Sequence, residues 1–134
     1  LIPLHLNRLV RDPLIKILTE HPSSYLVEPI DYEQFVFILN KAYLVLTDSG
    51  GLQEEAPALG KPVLVLRDTT ERPEAISSGV AKLVGTDSER IYSEASNLLK
   101  DSYAYQKMAR AVNPFGDGNA SDKILEICKK KLGL

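Results

Sequence analysis

The chain has 134 residues, with 16 Lys and Arg set against 18 Asp and Glu for a formal charge of −2. Such a length suits one domain with a real core, covering about two-thirds of the surface its unfolded form would expose, and the near-balance of charge argues against a broad basic surface for nucleic acid or anionic membrane. The lone cysteine, Cys128, excludes an internal disulfide, nothing resembles a secretory signal, and the longest apolar runs, residues 35–39 and 63–66, fall far short of the roughly 20 residues that span a bilayer, so a soluble protein of a reducing cytoplasm is expected.

In chain order, short apolar runs at residues 1–6, 25–27, 43–46, 62–66 and 81–84 read as strands, separated by helical patterns near residues 12–20, 32–41 and 53–59. Strands apolar on both faces need cover on both faces, which predicts a parallel sheet in an α/β sandwich with right-handed crossovers. Ligands in such sheets sit beyond the strand C-terminal ends, and Ser49, Arg67 and Asp68 follow strands in that way. After Asp87, which reads as a helix cap, Ile91, Ala95, Leu98 and Leu99 fall on one helical face; residues 103–111 and 120–132 are also helical, with Ser121 as the expected cap of the last helix. Residues 113–118, NPFGDG, break the helical run with turn chemistry. The chain opens on Leu1, inside what already reads as a core strand, so a fragment is expected whose upstream part holds half of the site.

The run from residue 47 to 74, TDSGGLQEEAPALGKPVLVLRDTTERPE, concentrates the chemistry. An apolar strand enters Thr47-Asp48-Ser49-Gly50-Gly51, and Leu52 onward opens a helix. The first turn of a helix leaves backbone N–H groups without partners and carries partial positive charge, which suits a diphosphate. Gly50 and Gly51 have no side chain to hold a phosphate at a distance, and Ser49 adds a hydroxyl donor; by itself, an isolated Ser-Gly-Gly equally fits a plain strand-to-helix turn. Pro57 removes a helical N–H and predicts a short or kinked helix. No metal constellation is visible, because Cys128, His5 and His21 lack ligand spacing, and no cofactor is expected.

This run resembles the signature of the non-hydrolysing UDP-N-acetylglucosamine 2-epimerases. The likeness extends upstream through EPIDYEQFVFILNKAYLVLTDSGG and downstream through LVGTD at residues 83–87 and NPFGDG. It implies a Rossmann-like three-layer sandwich, one half of a two-domain glycosyltransferase-B-like architecture, with residues 1–134 as the C-terminal UDP-binding domain and the N-terminal domain absent. The implied reaction interconverts UDP-N-acetylglucosamine and UDP-N-acetylmannosamine by elimination and re-addition of UDP, with the proton-transfer carboxylates and histidine upstream of Leu1, so that the chain alone binds nucleotide without turnover. A homodimer and a role in polysaccharide biosynthesis are also implied.

Position by position, the resemblance assigns Ser49, Gly50 and Gly51 to the diphosphate, Glu55 to the ribose hydroxyls, Arg72 to the pyrophosphate as electrostatic support, and Phe35 with the backbone at Ile30 to the uracil. From the residues alone Phe35 also fits the apolar helix face of Val36 and Leu39, and Glu54 reads as an exposed helical carboxylate. His5, in PLHLN, matches a histidine of a second, activating nucleotide-sugar site, and equally suits a structural role at a strand end; Arg8 after Asn7 replaces the family's Pro and removes a rigid turn. Two other readings stay open: the donor-nucleotide half of a glycosyltransferase, and a stand-alone nucleotide-sugar-binding module.

Overall fold

The computed structural model describes residues 1–133, and the chain divides into two compact units, the first ending at Ile38 and the second starting at Leu39. In the first, β1 (Ile2–Pro3) runs parallel to β2 (Leu26–Val27), with Ile2 opposite Leu26. The strand is shorter than residues 1–6: Leu4 still donates its N–H to Val27 at 2.8 Å, but His5 and Leu6 leave the ladder for a helix cap. Asn7 accepts from the Leu9 N–H at 3.0 Å and starts α1 (Arg8–Leu18) well before the expected residue 12. The Asn7 side chain thus makes the turn into α1, with Arg8 as the first helical residue. Behind β2, Glu28 takes both terminal nitrogens of Arg11, one at 2.7 Å; this contact holds the Glu28 carboxyl below its ordinary range and raises the guanidinium. It ties α1 to the segment that leads into Ile30.

The helix α2 (Tyr32–Lys41) has the expected bounds and continues into the second unit, where Leu39 is buried. There β3 (Val45–Thr47), β4 (Val63–Val65) and β5 (Ala81–Leu83) form a parallel sheet in that order, with Val45, Val63 and Ala81 in register. The central strand fixes the layering. Its Val63, Leu64 and Val65 are all fully buried, and successive strand residues face opposite ways, so both faces of β4 are covered. On one face Leu64 meets Val84 and Leu98, flanked by Ile91, Ala95, Ala104 and Met108.

Crossovers are helical, as parallel pairing requires. The first, α3 (Leu52–Ala58), is short, as Pro57 predicts; the second, α4 (Pro73–Ser77), was not expected, since five residues show no periodicity. Its signal was Pro73 at the first helical position, where the missing N–H costs nothing. After β5, Asp87 accepts from the Arg90 N–H at 2.8 Å and caps α5 (Ser88–Lys100). Asp101 then caps α6 (Ser102–Ala109) through the Tyr103 and Ala104 N–H groups. Two expectations fail here. Leu99 is 62% exposed, because the 3.6-residue period that turns Ile91, Ala95 and Leu98 inward carries it past the buried face. Ser121 lies inside the last helix, α7 (Ala120–Leu132), whose N-cap position falls on Asn119. Asp117 orders that turn instead, accepting from the Asn119 N–H at 3.1 Å and pairing with Lys123 at 2.8 Å.

One large polar side chain is wholly enclosed: Gln53, on α3, has no exposed surface. Its amide donates to the Ser49 carbonyl at 3.2 Å and its Oε1 accepts from the Thr70 hydroxyl at 2.5 Å. The turn after β3 and the loop after β4 are therefore joined through one neutral side chain. Two changes separate packing from this link in urea denaturation. Leu64→Ala, which opens a cavity at the center of the sheet, lowers stability by about 2–5 kcal/mol. Gln53→Leu keeps the bulk but strands the Ser49 carbonyl and the Thr70 hydroxyl, costing about 1–3 kcal/mol; a loss below about 0.5 kcal/mol shows that the link is dispensable.

Candidate functional site

The turn after β3 ends on backbone groups that the protein itself leaves unused. Ser49 donates its N–H to the Thr47 hydroxyl at 3.0 Å, and the N–H groups of Gln53, Glu54 and Glu55 return to the Gly50 and Gly51 carbonyls at 3.0–3.2 Å. The N–H groups of Gly50, Gly51 and Leu52, by contrast, donate to no acceptor among the described residues, and neither does the Ser49 hydroxyl. Three consecutive main-chain donors and an adjacent hydroxyl are a set chemically suited to the oxygens of a phosphate.

The Glu71 side chain lies close to Gly50. A Cβ there would run into the Glu71 carboxylate, which Arg67 holds at 2.7 Å. Glu71 lies below its ordinary carboxylate range, first because its own main-chain N–H bonds it and then because Arg67 stands beside it. A Cβ on Gly51 would meet Glu55 Oε1 at 3.6 Å and Ser49 Oγ at 3.9 Å, so the carboxylate and the hydroxyl flank the turn. The other Glu55 oxygen, Oε2, is buried without a hydrogen-bond partner. A buried carboxylate oxygen normally has one.

Arg72 is held at three points. Its main-chain N–H reaches the Thr70 hydroxyl at 3.0 Å, its Nη1 reaches the Glu71 carbonyl at 3.2 Å, and its Nε pairs with Glu54. That carboxylate raises the guanidinium above its ordinary range. The Nη2 group donates to no acceptor among the described residues. Through Thr70 and Gln53 the Arg72 backbone is connected to the Ser49 carbonyl, so the structure brings Ser49, Gly50, Gly51, Glu55 and Arg72 into one hydrogen-bonded frame.

Ile30 and Phe35 belong to the first unit and are half-buried, Phe35 on α2 beside Val36. His5 is exposed there, its Nδ1 accepting from the Asn7 N–H at 3.0 Å as part of the turn into α1. Among the described residues no group of three or more His, Cys, Asp or Glu could hold a metal ion, and no helix is long and apolar enough to cross a membrane. Sequence reasoning missed two contributors. Glu54 is a half-buried partner of Arg72 and not a bare solvated carboxylate, because the loop after β4 folds back over α3. Gln53 was passed over altogether; its signal was its position one turn before Ala56 and Pro57, which share the buried side of α3.

With this geometry in view, the comparison with known proteins is direct. The profile of the UDP-N-acetylglucosamine 2-epimerase family matches residues 1–129. The UDP-N-acetylglucosamine 2-epimerase of Escherichia coli K12 is 57% identical over 127 residues, which are 95% of this chain and 34% of that protein. Among solved structures, the Neisseria meningitidis UDP-GlcNAc 2-epimerase bound to UDP-GlcNAc superposes with a TM-score of 0.88 at 50% identity, covering 96% of this chain and 35% of that one. The S. aureus MnaA–UDP co-structure gives a TM-score of 0.88 at 46% identity, over 98% of this chain and 36% of its own. The chain thus spans about a third of the length of the relatives it matches. A profile match over nearly every residue, joined to backbone agreement at half identity, establishes that this chain belongs to the UDP-N-acetylglucosamine 2-epimerase family.

Proposed function

We propose that this chain is the UDP-holding part, the C-terminal domain, of an enzyme that interconverts UDP-N-acetylglucosamine and UDP-N-acetylmannosamine, with the proton-transfer groups on an N-terminal domain outside this chain. The observation that carries the reading is the row of uncommitted donors at Gly50, Gly51, Leu52 and the Ser49 hydroxyl, next to an arginine whose Nη2 is also uncommitted. A diphosphate supplies acceptors for all of them. Glu55 Oε2, buried and unpartnered, suits a ribose, whose two hydroxyls donate to a carboxylate. The family resemblance supports the backbone at Ile30 and the ring of Phe35 as the uracil contacts, and His5 as part of an activating nucleotide-sugar site.

In the proposed reaction the C2 proton is removed, the C1–O bond breaks with its electron pair on UDP, and a glycal remains; UDP then adds back to C1 as a proton returns to the opposite face of C2. Negative charge accumulates on the departing diphosphate. Donors already in place around it lower that barrier without reorganising, and this is the share of catalysis assigned to Ser49, Gly50, Gly51 and Arg72. The resemblance also supports a homodimer serving polysaccharide biosynthesis, and the lone cysteine, Cys128, free and exposed, supports a cytoplasmic setting.

Calorimetry tests the binding half of the proposal. The chain binds UDP, Arg72→Ala weakens binding by about 10- to 100-fold, and Glu55→Ala by about tenfold, as expected for losing hydrogen bonds to charged groups. Absence of UDP binding, or indifference to both changes, sinks it. For the reaction, the full-length protein given only UDP-N-acetylglucosamine yields the mannosamine epimer; product that forms solely when a sugar acceptor is added points instead to a glycosyltransferase.

A further inference from the structure

Glu54 stands on the first turn of α3, next to the buried Gln53, and its carboxylate takes the Nε–H of Arg72. We infer that Glu54 is a positioning residue that aims Arg72 at the diphosphate, a reading that rests on the UDP assignment proposed above. Which guanidinium nitrogens are already taken decides what Arg72 has left for a ligand. Of the five N–H donors of an arginine, Glu54 takes the one at Nε and the Glu71 carbonyl takes one at Nη1, at 3.2 Å. Both Nη2 hydrogens and one Nη1 hydrogen remain, and Nη2 belongs to both paired edges of the guanidinium, Nε with Nη2 and Nη1 with Nη2, so it stays open to a phosphate oxygen. A carboxylate that displaced a phosphate from Arg72 would have to engage Nη2, the nitrogen common to both paired edges. Glu54 engages Nε alone.

The remaining contacts agree with this role. The Arg72 main chain is pinned by Thr70, and Pro73 fixes the residue that follows it, so without Glu54 the freedom left to Arg72 is in its own long side chain. Both partners are only partly buried, with 35% and 37% of their side chains exposed. A pair so open to water adds little to stability; what it restricts is orientation, and in a site built from fixed backbone donors orientation decides whether the arginine and the turn reach the same anion.

The test is a double-mutant cycle read with two ligands. Glu54→Ala weakens UDP binding about tenfold and leaves uridine binding, which has no phosphate to meet Arg72, unchanged. In an Arg72→Ala background the same substitution has no further effect, because its action passes through that side chain. Glu54→Gln keeps an oxygen acceptor for Nε and restores most of the affinity. Equal or tighter UDP binding by Glu54→Ala overturns the inference, as does an equal loss with uridine, which marks a merely structural role. A ligand-free measurement guards the result: the Arg72 Nε–H gives a slowly exchanging signal in ¹⁵N spectra of the wild-type chain that Glu54→Ala abolishes, and an unchanged signal overturns the inference on its own. Failure of the wild-type chain to bind UDP overturns the function reading and the aiming role with it, whereas the other adverse outcomes leave UDP binding intact and remove only the role of Glu54.

Discussion

The enclosed amide of Gln53 is the constraint on which the rest of the candidate site depends. An amide taken from water without partners costs several kcal/mol, so its fixed contacts, the Ser49 carbonyl and the Thr70 hydroxyl, have to be present whenever the domain is folded. Those contacts come from the exits of two adjacent parallel strands, β3 and β4. Sheet pairing sets the spacing of the two exits, and Gln53 converts that spacing into a fixed relation between a turn and a loop. Thr70 then passes the constraint on, since the hydroxyl that donates to Gln53 accepts from the Arg72 main chain. A neutral relay is better suited to this task than an ion pair, because its strength barely depends on salt and its burial demands no compensation for charge.

The charged pairs do different work. Arg67 with Glu71 and Arg72 with Glu54 are each between a third and a half exposed, and pairs of that kind contribute about 0–1 kcal/mol. Their effect is to choose rotamers. Arg67 keeps the Glu71 carboxylate against Gly50, and Glu54 holds Arg72 at its Nε. The Glu71 carboxylate therefore lies beside the Cα of Gly50, as the mobile end of a long side chain that could swing aside.

Much of the fold was legible because its signals are one-dimensional. The run at residues 62–66 is apolar without alternation, and β4 is accordingly covered on both faces; α2 keeps its sequence-derived bounds because turn chemistry at Pro29 and the apolar strand after Tyr43 leave it no room to shift. The cap at Asp87 is a contact within three residues, which sequence reads well. What escaped depends on contacts distant in sequence. Nothing local tells a buried Gln53 from a solvated one, since its partner Thr70 lies across a strand and two turns. Glu54 was misjudged for the same reason, as its partner comes from the far end of the β4 loop. Ser121 and Leu99 show a third failure, in which an apt residue is displaced by a neighbor in better geometry: Asp117 orders the turn before α7, and Leu98 takes the buried place on α5. The turn after β3 could be singled out from Ser49-Gly50-Gly51, whereas its attachment to Arg72 could not.

The length of α3 changes the physical account of that turn. A helix start attracts anions both through its unpaired N–H groups and through the summed peptide dipole, and the two are often treated as one effect. Here the helix has seven residues and contains Pro57, which removes a hydrogen bond from its only full turn. So short a helix sums few dipoles, and little long-range field is available at Gly50. An anion held at this turn would be attracted by the individual donors at Gly50, Gly51 and Leu52 and by the Ser49 hydroxyl, each acting over hydrogen-bond distance. Directional donors lose strength steeply as the angle departs from linear, so a site of this kind tolerates less misalignment than one resting on a long helix. This is the physical reason for a rigid link at the base of the turn, and Gln53, packed without exposed surface and bonded to the carbonyl of Ser49, sits where such a link is required.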